Sequence, residues 1–162
     1  VFGVCGGYQM LGASVSDPDG VEAAGVTDIR GMGLLDMDTV FHGQKVQTQT
    51  GGKFSGICGM LSELNGLEYA GYEIHMGRSG EKMPPLTGRG SVYGSYVHGV
   101  FDAPGVADAI LRAVCKEKKI DFSAIGTFDV HEYKQRQYDI LADAVRGGLD
   151  MDLVYRVLRR EI

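Results

Sequence analysis

A cysteine between glycines near the start of the chain has the residue type and spacing of a catalytic nucleophile. The stretch 3–7, "GVCGG", fits the pattern glycine–x–nucleophile–x–glycine around Cys5, and it joins an apolar run to a helix-like pattern. A nucleophile on a tight strand-to-helix turn needs glycines on both sides, because side chains there would clash with the neighbouring strand and helix. Free cysteine is also among the most buried residue types, so core packing is the competing interpretation.

The predicted turn would also activate the Cys5 thiol. Unpaired N–H groups and the dipole at a helix N-terminus favour thiolate over thiol. The N–H of Gly6 would donate to an oxyanion on the carbonyl under attack, which makes Gly6 a candidate substrate-binding residue. Such a site would suit acyl transfer through a covalent thioester.

A cysteine nucleophile needs a base, and four histidines are available. His98 follows "VYGSYV" and His75 lies near the end of "YEIHMG", positions that suit the carboxyl ends of strands in an α/β fold. His42 falls at a predicted strand edge or turn, and His131 in a polar part of a helix. None of the four histidines has metal-ligand spacing, so no metal site is predicted. His98 and His75 are the candidate bases, because they lie near predicted strand ends.

Other motifs give no comparable signal. Cys58 and Cys115 are predicted to be packed in the core, and three cysteines without CxxC spacing indicate neither a disulfide framework nor a zinc site. The segment "TGGKFSG", 50–56, lacks the phosphate-loop pattern because Gln47 and Phe54 stand at two of its defining positions. The sequence therefore predicts no nucleotide cofactor in this chain.

Composition bounds the class of protein. The 162 residues, 44% hydrophobic and 23% charged, suit one soluble domain, and the net charge of −5 argues against a nucleic-acid partner. No apolar run approaches the ~20 residues that a membrane span needs, and no signal peptide is recognisable. With free thiols, these features predict a cytoplasmic protein with neither membrane nor nucleic-acid partner; they leave a homo-oligomer open.

The elements that must position these residues alternate between strand and helix, which predicts an α/β fold. A helix is expected to run from the cysteine turn through Val15. A long amphipathic helix is expected over 128–148, with Tyr138, Leu141, Ala142 and Val145 on its buried stripe. The predicted strands are 1–4, 32–41, 45–54, 67–77 and 91–101.

Four segments, "GVCGGYQMLG", "YEIHMGR", "YGSYVHGVFD" and "YDILADAVRGGLDMDLVY", resemble one family in its own order. The chain resembles the carboxy-terminal glutamine amidotransferase domain of the cobyric acid synthase family over residues 1–162. The resemblance implies a three-layer α/β sandwich with a largely parallel central sheet and a strand–elbow–helix nucleophile turn. It also implies that strands preceding the elbow strand are missing from this chain.

The resemblance assigns roles to five residues. Cys5 matches the nucleophile that attacks the side-chain amide of glutamine and releases ammonia, and His98 matches the general acid/base. Gln9 matches a glutamine that helps hold the substrate, and Glu73 and His75 lie where related enzymes line the glutamine pocket. Many relatives in the wider superfamily carry a glutamate two residues after the histidine to orient its ring.

That orienting carboxylate is absent here, because the sequence reads His98-Gly99-Val100. This resembles the cobyric acid synthase branch, where a cysteine–histidine dyad suffices. A backbone carbonyl, a water or Glu73 are the alternatives for fixing the imidazole.

By resemblance, the whole enzyme amidates carboxylates of the corrinoid adenosylcobyrinic acid a,c-diamide to give cobyric acid. ATP and magnesium would act in an upstream synthase domain, and this chain would be the glutaminase part. A second oxyanion donor would come from the missing segment, so the chain alone is expected to be inactive. The alternatives are the related a,c-diamide synthase or another glutamine-dependent ligase, a different cysteine hydrolase, and a non-catalytic binding or scaffold domain.

Overall fold

The computed structural model describes residues 1–23, 25, 27–81, 83–124 and 129–162. It is a mixed α/β structure with two sheets and several helices, divided into two compact units, Val1–Thr127 and Phe128–Ile162. The strands are β1 (Phe2–Val4), β2 (Ser14–Ser16), β3 (Asp28–Arg30), β4 (Asp38–Lys53), β5 (Glu68–Arg78), β6 (Thr87–Arg89) and β7 (Val92–Ser95). The helices are α1 (Gly6–Leu11), α2 (Val106–Lys118), α3 (Val130–Gly148) and α4 (Met151–Leu158), with 3₁₀ turns at Gly59–Leu64 and Phe122–Ala124.

The first sheet has the order β1-β7-β6 and contains the strand that leads to Cys5. β1 and β7 are parallel, with Val4 opposite Ser95, so their carboxyl ends lie at the same edge of the sheet. β6 and β7 are antiparallel, and only Gly90 and Ser91 separate them. Gly90 adopts φ 63°, a left-handed conformation that a tight hairpin requires and that glycine adopts without strain.

The second sheet has the order β3-β2-β4-β5, and a long antiparallel hairpin of β4 and β5 dominates it. The ladder runs without interruption from the pair Val46/His75 to the pair Lys53/Glu68. Two strands were predicted at 32–41 and 45–54, whereas the structure has one strand with a register shift between Phe41 and Val46. A bulge bends a strand without ending it, which explains why the sequence pattern looks interrupted there.

Both sheets are mixed, which differs from the largely parallel central sheet that was predicted. Among the described strands, β1–β7 and β2–β4 are parallel, whereas β2–β3, β4–β5 and β6–β7 are antiparallel. Short connections such as that between β6 and β7 force antiparallel pairing, since parallel neighbours need long crossovers. The α/β class is confirmed, and the three-layer arrangement stays a prediction.

Helix α1 ends at Leu11, four residues earlier than predicted, and Val15 belongs to β2. Gly12 is extended, with φ −68° and ψ −177°, and an added Cβ there would lie only 2.5 Å from the Met37 carbonyl oxygen. The close approach of that backbone lets the chain leave the helix and pair with β4. The apolar spacing of the segment suits a helix, but tertiary pairing decides against it.

The main core of the first unit packs the hairpin of β6 and β7 against α2 and the first 3₁₀ turn. Its fully buried members include Phe54, Leu61, Leu64, Tyr93, Val97, Val100 and Val106. Tyr93 ties the core together, because its hydroxyl accepts from the Leu61 N–H at 3.0 Å. Cys115 is buried, as predicted, but Cys58 is exposed, so its predicted core packing is wrong. Cys58 directly precedes the 3₁₀ turn, whose buried side chains are Leu61 and Leu64.

The second unit consists of two capped helices. The Asp129 and Asp150 carboxylates accept backbone N–H groups at the starts of α3 and α4, as helix N-caps do. The buried stripe predicted for α3 is wrong, because Tyr138 and Leu141 are each 60% exposed and Val145 is 44% exposed. Amphipathic spacing identifies an apolar face but does not supply the surface that would cover it. No helix in the described ranges has the length and apolar character of a membrane span.

Candidate functional site

Cys5 occupies a strained turn between β1 and α1. Its backbone has φ 53° and ψ −113°, a conformation that residues other than glycine rarely adopt. The Cys5 N–H donates to the Ser95 carbonyl of β7 at 2.9 Å, and its carbonyl accepts the first helical hydrogen bond, from the Gln9 N–H at 3.0 Å. Hydrogen bonds to β7 and to α1 therefore hold the turn in this conformation. Backbone strain held in this way is typical of functional positions.

The glycines around Cys5 differ in the space that surrounds them. A Cβ at Gly3 would lie 2.7 Å from the Gly7 carbonyl carbon and 2.8 Å from Leu11 Cδ1, so Gly3 lets α1 pack directly on β1. Added Cβ atoms at Gly6 and Gly7 would meet nothing within 4 Å. The predicted clash is thus confirmed at Gly3 and wrong at Gly7, because the helix start faces open space.

The Cys5 thiol is half-buried and points to β5. Its Sγ lies 3.6 Å from the Ile74 carbonyl oxygen, a geometry in which the thiol proton is the donor. Burial raises the pKa of the Cys5 thiol, and the Gly6 N–H offsets only part of that effect. The expectation that the helix start would favour thiolate is therefore overturned, because desolvation of the charged form outweighs the local donor.

His98 lies just beyond the carboxyl end of β7, next to the parallel strand that delivers Cys5. It forms an isolated antiparallel bridge with Tyr72 of β5: the Tyr72 N–H donates to the His98 carbonyl at 3.1 Å, and the His98 N–H donates to the Tyr72 carbonyl at 2.8 Å. The imidazole stacks on the Tyr72 ring, with centroids 5.0 Å apart and planes 5° from parallel. Cys5 and His98 thus contact the same short stretch of β5, at Ile74 and Tyr72.

Glu73 and His75 form a pair on β5. His75 is 7% exposed; its Nδ1 lies 2.7 Å from the Gly77 carbonyl oxygen, and its Nε2 lies 3.2 Å from Glu73 Oε2. A carbonyl can only accept, so the Gly77 carbonyl takes a hydrogen bond from Nδ1. The other ring nitrogen, Nε2, faces the Glu73 carboxylate, so both nitrogens of His75 have partners on β5.

Gln9 is buried in a polar cluster beside this pair. A Cβ at Gly77 would lie 2.5 Å from Gln9 Nε2, so the amide packs directly on the backbone of β5. Tyr96, whose ring centroid is 3.9 Å from that of His75, donates to or accepts from Ser79 Oγ at 2.8 Å. Burial raises the pKa of the Tyr96 phenol, and the side chains of Ser79, Gln9 and Thr39 partly offset this.

A cleft of about 340 Å³ opens on the outer side of the long hairpin. Its lining residues are Gln47, Thr48, Gln49, Tyr72 and Ile74. Tyr72 thus has the His98 imidazole against its ring and also forms part of the cleft wall. Within the described residues, no group of three or more His, Cys, Asp or Glu side chains could hold a metal ion.

The sequence interpretation missed Tyr72 and Tyr96. Alternation along "YEIHMG" puts Glu73 and His75 on one face of a strand and Tyr72 on the other. The prediction considered the cysteines, the histidines and the residues that the family resemblance implied. A ring stack between segments that are far apart in the sequence leaves no local pattern.

Comparisons with known proteins identify the family of this chain. The profile of the CobB/CobQ-like glutamine amidotransferase domain matches residues 1–106. The cobyric acid synthase of Lachnoclostridium phytofermentans is 41% identical over 187 residues, which cover 100% of this chain and 36% of the relative. That of Ruminiclostridium cellulolyticum is 41% identical over 181 residues, covering 100% and 35%, and that of Photorhabdus laumondii is 39% identical over 180, covering 98% and 35%.

The chain spans about a third of the length of these curated relatives. The match includes the turn of Cys5, the Glu73–His75 pair and His98, since all lie within residues 1–106. The chain belongs to the CobB/CobQ-like glutamine amidotransferase domain family.

Proposed function

We propose that this chain is the glutaminase part of a glutamine-dependent, ATP-driven amide ligase of the cobyric acid synthase type. The observation that carries the proposal is that Cys5 and His98 both lie at the carboxyl-end edge of the parallel strands β1 and β7 and that both contact β5. The relatives are named cobyric acid synthases, which supports a reaction that forms cobyric acid. The whole enzyme would amidate side-chain carboxylates of adenosylcobyrinic acid a,c-diamide to give cobyric acid, in the cytoplasm.

The reaction would begin with proton transfer from Cys5 to His98. The resting thiol donates to the Ile74 carbonyl and its pKa is raised, so a base is needed to form the nucleophile. The thiolate would attack the side-chain amide carbon of glutamine, and the Gly6 N–H would donate to the oxyanion of the tetrahedral intermediate.

The second half would return the proton and regenerate the thiol. His98 would protonate the departing nitrogen, so that ammonia leaves and a thioester forms on Cys5. Water, deprotonated by His98, would then attack the thioester, and glutamate would leave. One glutamine and one water give one glutamate and one ammonia, which would go to the synthase site.

ATP and magnesium would act in the remainder of the longer enzyme, where they would activate the corrinoid carboxylates. The glycine-rich segment of this chain does not fit a phosphate group. Gly51, Gly52 and Lys53 pair with β5 in the hairpin ladder, so their backbone is extended and does not form a phosphate-binding loop.

The proposal is tested by labelling with a diazo-ketone analogue of glutamine, mapped by mass spectrometry. The chain alone and the longer enzyme that carries it would both be treated, with and without excess glutamine. Labelling of Cys5 that glutamine prevents is the expected result, and His98→Ala is expected to slow it by about 10²–10⁴-fold. Labelling only in the longer enzyme would mean that the chain alone holds an incomplete site.

Cys58 is the internal control, because it is an exposed thiol that directly precedes the first 3₁₀ turn. Iodoacetamide should label Cys58 readily, whereas the glutamine analogue should not. Equal labelling of Cys58 and Cys5 by the analogue would contradict the nucleophile assignment. An inert Cys5 in both proteins would favour the scaffold alternative, and labelling that glutamine does not prevent would favour another cysteine hydrolase.

A further inference from the structure

The ring of Tyr72 covers one face of the His98 imidazole. The two planes are 5° from parallel, and the centroids are 5.0 Å apart, within the range of stacked aromatic pairs. We propose that Tyr72 is a positioning residue that holds the His98 ring in the orientation needed for proton transfer with Cys5. This inference rests on the proposed glutaminase function.

The backbone imposes this contact. Tyr72 and His98 exchange both hydrogen bonds of an antiparallel pair, at 3.1 Å and 2.8 Å, so their side chains project from the same face. The bridge is a single pair that lies outside the ladders of the two sheets. The stack of the two rings is a second contact between the same two residues.

Gly71 is what allows the segments to approach each other so closely. A Cβ at Gly71 would run into the His98 carbonyl oxygen and would lie 2.7 Å from Val97 Cγ1. Any other residue would push the two backbones apart and separate the stacked rings.

The position two residues after His98 carries no orienting carboxylate. Val100 stands where a glutamate would orient the ring in many relatives, and Val100 is 2% exposed, in the core. The nearest acidic residue along β5, Glu73, contacts His75 Nε2 at 3.2 Å. A stacked ring can fix the plane of an imidazole, whose χ2 torsion is otherwise broad.

The size of the effect follows from the energy of such a stack. Aromatic pairs change a conformational equilibrium by about 2- to 12-fold, and misplacement of a reacting group by ~1 Å costs about 10²-fold in rate. Loss of the ring should therefore reduce turnover by about 10-fold if the imidazole only samples other orientations, and by about 100-fold if it is displaced by ~1 Å. Because the contact is made by the ring faces, Tyr72→Phe should keep it.

The experiment measures steady-state glutamine hydrolysis by the longer enzyme. Tyr72→Leu is expected to lower kcat by about 10- to 100-fold with KM within about twofold, whereas Tyr72→Phe should stay within about twofold of the parent in both. Tyr138→Leu removes another exposed tyrosine, 60% exposed on α3, and should change neither. Tyr72 is 47% exposed, so the substitution removes little core; Tyr72→Met is the second variant if Tyr72→Leu lowers the melting temperature.

Three results would overturn the inference. An unchanged kcat in folded Tyr72→Leu or Tyr72→Met would show that the ring does not position His98. A rise in KM alone would make Tyr72 a substrate-binding residue, and a Tyr72→Phe defect as large as that of Tyr72→Leu would implicate the hydroxyl. His98→Ala and Cys5→Ala separate this from the proposed function: if either keeps full glutaminase activity, the proposed function itself fails.

Discussion

The two ends of the glycine motif should respond in opposite ways to the same substitution. Gly3→Ala places a methyl group 2.7 Å from the carbonyl carbon of Gly7, where ordinary contact begins near 3.4 Å, so α1 must move from β1 by about 0.7 Å. Gly7→Ala places the same methyl group in open space at the start of the helix.

The two substitutions should change the free energy of unfolding in opposite directions. Overpacking of this kind costs about 1–3 kcal/mol, so Gly3→Ala should lower the free energy of unfolding by about 2 kcal/mol and Tm by about 4–8 °C. Gly7→Ala should raise the free energy of unfolding by about 0.5 kcal/mol, because alanine loses less backbone entropy in a helix. The two variants should differ by roughly 2.5 kcal/mol.

Urea unfolding followed by far-UV circular dichroism measures the difference directly. The midpoint should fall for Gly3→Ala at an unchanged slope and should hold or rise for Gly7→Ala. If Gly7→Ala destabilises the protein as much as Gly3→Ala, the space around the helix start is not as described. If Gly3→Ala matches the parent within about 0.5 kcal/mol, α1 does not pack tightly on β1, and sterics do not explain the motif.

Two further predictions concern the site. Because burial raises the pKa of Cys5, its alkylation by iodoacetamide should reach half-maximal rate above the usual thiol value of about 8.5. Between the ordinary thiol pKa and the raised pKa of the folded state, the unfolded state loses a proton that the folded state keeps. The contribution of Cys5 to the free energy of unfolding is therefore fully present below the ordinary thiol pKa and is lost as pH rises through the raised pKa. Gly77→Ala should displace the Gln9 amide by about 1 Å and raise KM for glutamine about tenfold, which is the loss of one hydrogen bond.

Each has a matched control. Cys58 is exposed and should be alkylated faster than Cys5 in the same reaction; a reversed order would contradict the desolvation argument. Gly43→Ala lies in the same hairpin with nothing within 4 Å of its added Cβ, so it should leave KM unchanged. An equal effect of Gly43→Ala and Gly77→Ala would mean that Gln9 does not depend on the close approach at Gly77.

The sequence predicted the parts of the site that local patterns encode. Glycine spacing around Cys5 indicated a strand-to-helix turn, and the apolar run before His98 put it after a strand; the structure has both features. The family followed from four segments in order, and the matching profile confirms it. The turn and the strand before His98 are each encoded by a few neighbouring residues, over which backbone sterics and strand alternation act directly.

Other expectations failed because they depended on distant neighbours. The thiolate expected at Cys5 ignored desolvation, which only the packed site imposes. Val15 pairs with β4 although its spacing suited a helix, and Cys58 is exposed although it was predicted to be packed in the core.

By itself, the sequence determined the family, the α/β class and the turn at Cys5. Only the tertiary structure decided what surrounds them. The pairing of Tyr72 with His98 joins residues far apart along the chain through two hydrogen bonds and a ring stack, and the pairing of Glu73 with His75 commits the carboxylate elsewhere. A local pattern records which side chains share a face of a strand, but the strand that arrives opposite that face depends on the packing of the whole unit.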